Sequence, residues 1–260
     1  MKPRLIACDI DGTLLMEGQT ALPQELSALI RRILDSGIVF ATASGRQVVS
    51  LWNVFAEFGG EVCHIAENGA IAYVGGELVH RVSLDRVLGE EIAETMLARP
   101  ECELYVGGIE TCYVKPKNPA FVAHLKNNLL FDVTEVESMG EISEPFLKVS
   151  AYHEAHDPDG KYWMRRFGNR CNVVVSGTDW VDLTPLGVSK ALGVMAICKH
   201  LGIDSKDCVA FGDADNDVEM FNLVGHPVAM EWASDAAKAH AVETTSSVAD
   251  VLSRILDGCE

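Results

Sequence analysis

Long apolar runs, paired cysteines and basic charge are what this 260-residue sequence lacks. No uninterrupted apolar stretch approaches the roughly 18 to 20 residues of a membrane span, so no transmembrane helix is expected. The eight cysteines are scattered without a C-x-x-C pair, which argues against both a thiolate zinc site and a disulfide framework. Lys and Arg number 21 against 38 Asp and Glu, a net charge of −17. Such a balance disfavours nucleic acid and anionic membranes as partners, so any bound phosphate must meet a local positive patch. Met1-Lys2-Pro3-Arg4-Leu5 leads into the first apolar run without a signal-peptide pattern, and the expected location is a reducing cytoplasm. Repeats and low-complexity segments are missing as well. What is present is 48% hydrophobic residues, enough for one large α/β domain or two smaller ones.

Short apolar runs alternate with amphipathic stretches, the pattern of strands separated by helices and of a largely parallel sheet. Strands are expected at Leu5–Cys8, Ile38–Thr42 and Val62–Ala66, and helices from Leu22-Pro23-Gln24-Glu25 to Gly37 and over Gln47–Phe58. A hairpin of Ile71–Val74 and Leu78–His80 around Gly75-Gly76 follows. Between about Arg81 and Gly187 the rhythm changes to helices at Leu84–Leu97 and Phe121–Leu129 among closely spaced strands, which predicts an α+β insertion. From Ser189 the first rhythm returns, with strands at Cys208–Phe211 and Pro227–Met230. The expected domains are therefore 1–80 with 188–260 as the core, and 81–187 as an inserted unit.

The most telling segment is Cys8-Asp9-Ile10-Asp11-Gly12-Thr13, which ends a buried strand in two carboxylates. Residues i and i+2 of a strand point the same way, so Asp9 and Asp11 can share a site. Like charges that close call for a hard divalent cation such as Mg²⁺, leaving one acid as nucleophile and the other as proton carrier. An Asp-Gly turn beside a solvated acid is the plain alternative. Three further segments stand where open α/β sheets bind ligands, at the carboxyl ends of strands. Thr42-Ala43-Ser44-Gly45-Arg46 offers a hydroxyl and backbone N–H groups to an anion, or Ser44 is simply a helix N-cap. Gly187-Val188-Ser189-Lys190 puts a cation at a helix start, where it needs an anionic partner unless it is solvated. Gly212-Asp213-Ala214-Asp215-Asn216-Asp217 could complete an all-oxygen Mg²⁺ site, or its acids could serve as helix-dipole partners.

Together these segments resemble the four motifs of the haloacid dehalogenase superfamily, and more closely its Cof-type phosphatases (subfamily IIB, C2-type cap), whose cap is inserted after the third core strand. Glu67-Asn68-Gly69-Ala70 is similar to a further Cof-type signature. The resemblance implies a Rossmann-like parallel-sheet core with an α+β cap. It also implies an Mg²⁺-dependent phosphatase of small phosphorylated metabolites, sugar phosphates foremost, working through an aspartyl-phosphate. Asp9 would be the nucleophile and Asp11 the acid–base. Asp9, the Asp11 carbonyl and Asp213 would hold the metal. The N–H of Ile10 with Ser44, Lys190 and Asn216 would hold the phosphoryl oxygens, and Asp217 would steady Lys190 or a metal-bound water. A phosphomutase is the main alternative, a non-enzymatic binding protein the lesser. The chain departs from the pattern at Glu231-Trp232, where Cof-type sequences continue with Gly-Asn. Cap residues Lys115, Lys117, His124, His153, Lys161, Arg165, Arg166 and Arg170 are read as surface side chains.

Overall fold

The computed structural model describes residues 2–153, 160–176 and 178–258. The chain divides into two compact units: one comprises Met1–Ser44, Leu51–His80 and Ser189–Glu260, the other Gly45–Ser50 and Arg81–Val188.

In chain order the first unit opens with β1 (Leu5–Cys8), α1 (Gln24–Asp35), β2 (Val39–Ala43), α2 (Val48–Val54), β3 (Cys63–Ala66), β4 (Ile71–Val74) and β5 (Glu77–Arg81). The second unit follows with α3 (Arg86–Leu97), β6 (Glu103–Gly107), β7 (Cys112–Val114), α4 (Pro119–Asn127), β8 (Val133–Glu135), β9 (Lys148–Tyr152), α5 (Gly160–Phe167), β10 (Asn172–Ser176) and β11 (Trp180–Thr184). The chain then returns to the first unit through α6 (Lys190–Leu201), β12 (Cys208–Gly212), α7 (Val218–Leu223), β13 (His226–Met230), α8 (Asp235–His240), β14 (Glu243–Thr245) and α9 (Val248–Asp257).

The first unit is an eight-stranded sheet in the order β14-β13-β12-β1-β2-β3-β4-β5. Its pairs from β14 to β3 are parallel, and β3–β4 is antiparallel. Every residue of β1 is buried, as expected of a central parallel strand covered on both faces. Helix α1 buries Leu26, Leu29, Ile30 and Ile33, the i, i+3, i+4 stripe of an amphipathic helix. The reading of one helix over Gln47–Phe58 is corrected: α2 stops at Val54, Phe55 leaves the helical region (φ −105°, ψ 21°), and a 3₁₀ turn covers Ala56–Glu61.

The second unit is a six-stranded sheet, β10-β11-β9-β6-β7-β8. Its pairs are antiparallel except β7–β8. Alternation along the strands sends Leu104, Val106, Val149, Ala151, Val181 and Leu183 to one face, where they pack with α3 and with Trp163 and Phe167 of α5. Tyr105, Cys112 and Val114 lie in a second cluster with Phe121 and Leu125 of α4. Gly45–Ser50 groups here rather than with the core assigned to 1–80 because the Gln47 amide exchanges two hydrogen bonds with the Asp132 backbone (2.8 and 3.1 Å) and Lys148 Nζ donates to the Gly45 carbonyl at 2.7 Å.

No helix among the described residues is long and apolar enough to cross a membrane. No disulfide joins the cysteines among them, each of which is buried.

One core side chain makes the first unit acid-sensitive. His64 on β3 is buried, its Nδ1 is 3.0 Å from Thr42 Oγ1, and burial pushes its pKa down to about 4. Between the unfolded value near 6.5 and that lower one, the unfolded chain takes up a proton that the folded chain refuses. The stability is therefore present above pH 6.5 and is lost as pH falls through the window, by roughly 3 kcal/mol at its fullest. Thermal melts at pH 7 and pH 4.5 should show this loss, and His64→Asn should flatten it. An unchanged pH slope in the variant would assign the acid sensitivity to other groups.

Candidate active site

Strands β12, β1 and β2 are neighbours in register, with Cys8 opposite Phe211 on one side and Thr42 on the other. The residues that leave their carboxyl ends are therefore brought together: Asp9 after β1, Asp213 after β12 and Ser44 after β2. Parallel strands lie roughly 4.8 Å apart, so side chains from adjacent ends meet in one site. Asp9 is buried and its N–H donates to Phe211 O at 3.0 Å. Ile10 is also buried, and its carbonyl accepts from the N–H groups of Thr13, Leu14 and Leu15, closing a tight turn. Asp11, by contrast, is exposed.

Gly12 is required where it stands. Its φ is +85°, and a Cβ there would lie 2.4 Å from Asp213 Oδ2. Thr13 Oγ1 donates to Asp213 Oδ1 at 3.2 Å, so the loop after β1 is fitted against the loop after β12.

Lys190 begins α6 and is 2% exposed, which rules out the solvated alternative. Its Nζ donates to Asp9 Oδ1 at 2.6 Å and to Asp217 Oδ1 at 2.7 Å. The two carboxylates offset the dipole that disfavours a cation at a helix start, and they hold the ammonium pKa well up despite burial. Asp217 Oδ2 in turn accepts from the N–H groups of Asp213 (2.9 Å) and Ala214 (3.0 Å). Burial pushes the Asp9 carboxyl well up; Lys190 opposes that shift, and Asp217 and Asp213 reinforce it. Asp213 is also raised, by burial first and then by Asp217.

Ser44 is not an N-cap, since α2 begins at Val48. It is buried, its N–H donates to Ile65 O and its carbonyl accepts from Asn68 N–H, both at 3.0 Å. Glu67 and Asn68 are buried with positive φ (49° and 57°), and Gly69 passes so close to α6 that a Cβ would lie 2.0 Å from Ser189 O. The Glu67-Asn68-Gly69 signature is thus the surface on which Ser44 and the start of α6 rest. Asp215 is exposed and accepts from Ser234 Oγ at 2.6 Å, and Asn216 is half-buried.

The donor set fits a divalent cation. Oxygens of Asp9, Asp213 and Asp217 all lie within 4.8 Å of one another. Three carboxylates face one ammonium, leaving two negative charges, and the Asn216 Oδ1 is buried without a hydrogen-bond partner. Both Asp217 oxygens already accept from Lys190 or backbone N–H groups, whereas Asp9 Oδ2 and Asp213 Oδ2 accept from neither and could hold a metal.

Several cap residues have structural tasks within the second unit. Lys117 Nζ donates to Met96 O in the last turn of α3 (3.1 Å) and to Cys102 O just before β6 (2.6 Å), Arg170 pairs with Glu91 (2.7 Å), and His124 stacks on Tyr152. Sequence reading passed over Lys148, which is buried, 3.4 Å from Asp182 and bonded to Gly45 O. A lysine inside the apolar run Phe146-Leu147-Lys148-Val149 is the signal that marks it.

A family model described as haloacid dehalogenase-like hydrolase matches residues 6–253. The chain is 30% identical over 263 aligned residues to the 5-amino-6-(5-phospho-D-ribitylamino)uracil phosphatase YbjI of Escherichia coli (strain K12), covering 98% of this chain and 97% of that protein. It is 29% identical to the HMP-PP phosphatase of Enterobacter sp. (strain 638), covering 87% and 84% of the two chains. The solved structure of the haloacid dehalogenase subclass IIB sugar phosphatase BT4131 superposes with a TM-score of 0.83 at 20% identity, covering 99% of this chain and 100% of that one. A haloacid dehalogenase-like hydrolase from Bacteroides thetaiotaomicron gives a TM-score of 0.83 at 23% identity, with 98% and 100% covered. These two structural likenesses are of the fold.

Proposed function

The chain belongs to the haloacid dehalogenase-like hydrolases, and we propose that within them it is an Mg²⁺-dependent phosphatase of small phosphorylated metabolites, sugar phosphates foremost, located in the cytoplasm. The observation that carries this reading is the buried Lys190 bridging Asp9 and Asp217 beside Asp213, at the ends of adjacent parallel strands. The two curated relatives named above are phosphatases of a phosphoribityl compound and of HMP-PP, which supports a small phosphorylated substrate.

In this reading Asp9 attacks phosphorus to form an aspartyl-phosphate, and Asp11, on the exposed side of the turn, gives its proton to the leaving oxygen. Asp11 then takes a proton from the water that hydrolyses the intermediate. Lys190 favours the anionic form of Asp9 that attacks and, with Ser44, Asn216 and the N–H of Ile10, meets the charge on the transferring group. Asp217 orients Lys190. Asp9, Asp213 and the Asp11 carbonyl would hold Mg²⁺, which when bound would neutralise charge on the phosphoryl oxygens.

A screen of sugar phosphates and other phosphometabolites tests the reading. Phosphate release is expected with Mg²⁺ and should fall by about 100-fold or more on chelation. No release from any ester, or release indifferent to the chelator, would reject it; isomerised product without free phosphate would make the protein a mutase instead.

A further inference from the structure

We propose that Trp232 is a positioning residue that aims Asp11, through a hydrogen bond from its indole N–H to the Gly12 carbonyl. The proposal rests on the assignment of Asp11 as the proton carrier. Trp232 Nε1 donates to Gly12 O at 2.7 Å, near the short end of the N–H···O range. An indole nitrogen can only donate, so the bond has one sense and needs this acceptor. The ring itself is 48% exposed, so burial does not account for a large apolar side chain at this place. The fixed interaction it offers is the one to the loop after β1.

That loop is held at other points as well. Gly12 N–H donates to Leu15 O at 2.9 Å, and the missing Cβ of Gly12 is what admits the Asp213 carboxylate. The segment that carries Trp232 is stitched to the opposite loop: Ser234 N–H donates to Asp213 O at 2.8 Å and Ser234 Oγ to Asp215 Oδ1 at 2.6 Å. Residues 232–234 therefore tie the loop bearing the acid to the loop bearing Asp213. The Gly12 carbonyl lies one residue beyond Asp11. Fixing it restrains the turn after β1, and with it the backbone that carries the exposed Asp11 side chain. Trp232, half of the pair that departs from the Cof-type pattern, thereby acquires a task.

The test separates proton delivery from everything else. Departure of a sugar alkoxide needs a proton, whereas 4-nitrophenolate leaves without one, and kcat/KM reports the steps up to that departure. Trp232→Phe keeps a ring and loses the donor. It is expected to lower kcat/KM for ribose 5-phosphate about tenfold, and that for 4-nitrophenyl phosphate less than twofold. In an Asp11→Asn background the same substitution should cause no further loss on the sugar ester. Equal losses on both esters, with or without a lowered melting temperature, would overturn the proposal by making Trp232 structural, and so would no loss at all. A further loss in the Asn background would overturn it too. If the unaltered protein hydrolyses both esters while the Phe variant matches it, the phosphatase reading stands and only the role of Trp232 falls. If the unaltered protein hydrolyses neither, both fall.

Discussion

Replacing Asp9 with asparagine is expected to lower phosphate release by roughly 10⁴- to 10⁶-fold, about 5.5 to 8 kcal/mol of transition-state stabilisation, without loosening the fold. The amide is nearly isosteric, and its oxygen can still accept the Lys190 N–H that Asp9 Oδ1 accepts now at 2.6 Å. It cannot attack phosphorus. The effect on stability has the opposite sign. Asp9 is one of three carboxylates around a single buried ammonium, and burial together with Asp217 and Asp213 already disfavours its ionised form. Removing one negative charge relieves that repulsion, so the Asn variant should melt at the same temperature as the unaltered protein, or higher, when Mg²⁺ is chelated. Phosphate release and melting curves in chelator measure the two effects. Activity within tenfold would remove Asp9 as the nucleophile. A large fall in melting temperature would mean that its carboxylate serves the fold.

The division between what was legible in the sequence and what was not follows the range of each interaction. Asp9, Ser44, Lys190 and Asp213 could be read because each stands where a buried run ends or a helix begins, and parallel topology then gathers such ends. Which alternative holds for Lys190 was not local. Its partners lie 181 and 27 residues away, so only the folded chain separates a buried pair from a solvated side chain. The same applies to Ser44, whose N-cap alternative fails because α2 begins four residues later.

Short edge elements escaped for another reason. Strands β8 and β14 are three residues each, too short to show a period-2 alternation, and both sit at the end of a sheet where one neighbour suffices. Glu67-Asn68 could be recognised as a signature, and Asn68 is of a type that favours a left-handed backbone, but the same conformation at Glu67 could not be inferred from a residue type that seldom adopts it. Trp232 was visible only as a departure from pattern; its indole bond spans 220 residues. Lys148 and Gln47 likewise act on backbone groups 103 and 85 residues away, which no local pattern encodes.

Lys190→Met is expected to cost both activity and stability, and the second loss is the more diagnostic. Lys190 is 2% exposed and Asp217 0%, so the substitution leaves two buried carboxylates without their cation. Breaking a buried pair from one side costs about 3 to 5 kcal/mol, which for a chain of this size corresponds to roughly 6 to 15 °C in melting temperature. Met has similar length and fills the space, so the loss reads the charge rather than a cavity. Mg²⁺ should restore part of the stability by supplying positive charge to Asp9 and Asp213, whereas Asp217, whose second oxygen already serves the Asp213 and Ala214 N–H groups, stays uncompensated. Lys190→Arg should rescue little, because a planar fork cannot replace a compact ammonium between two oxygens held at 2.6 and 2.7 Å in a closed site. Melting curves of both variants with and without Mg²⁺ decide the matter: a Met variant that melts within about 2 °C of the unaltered protein would show that the buried ammonium is not what keeps these carboxylates together.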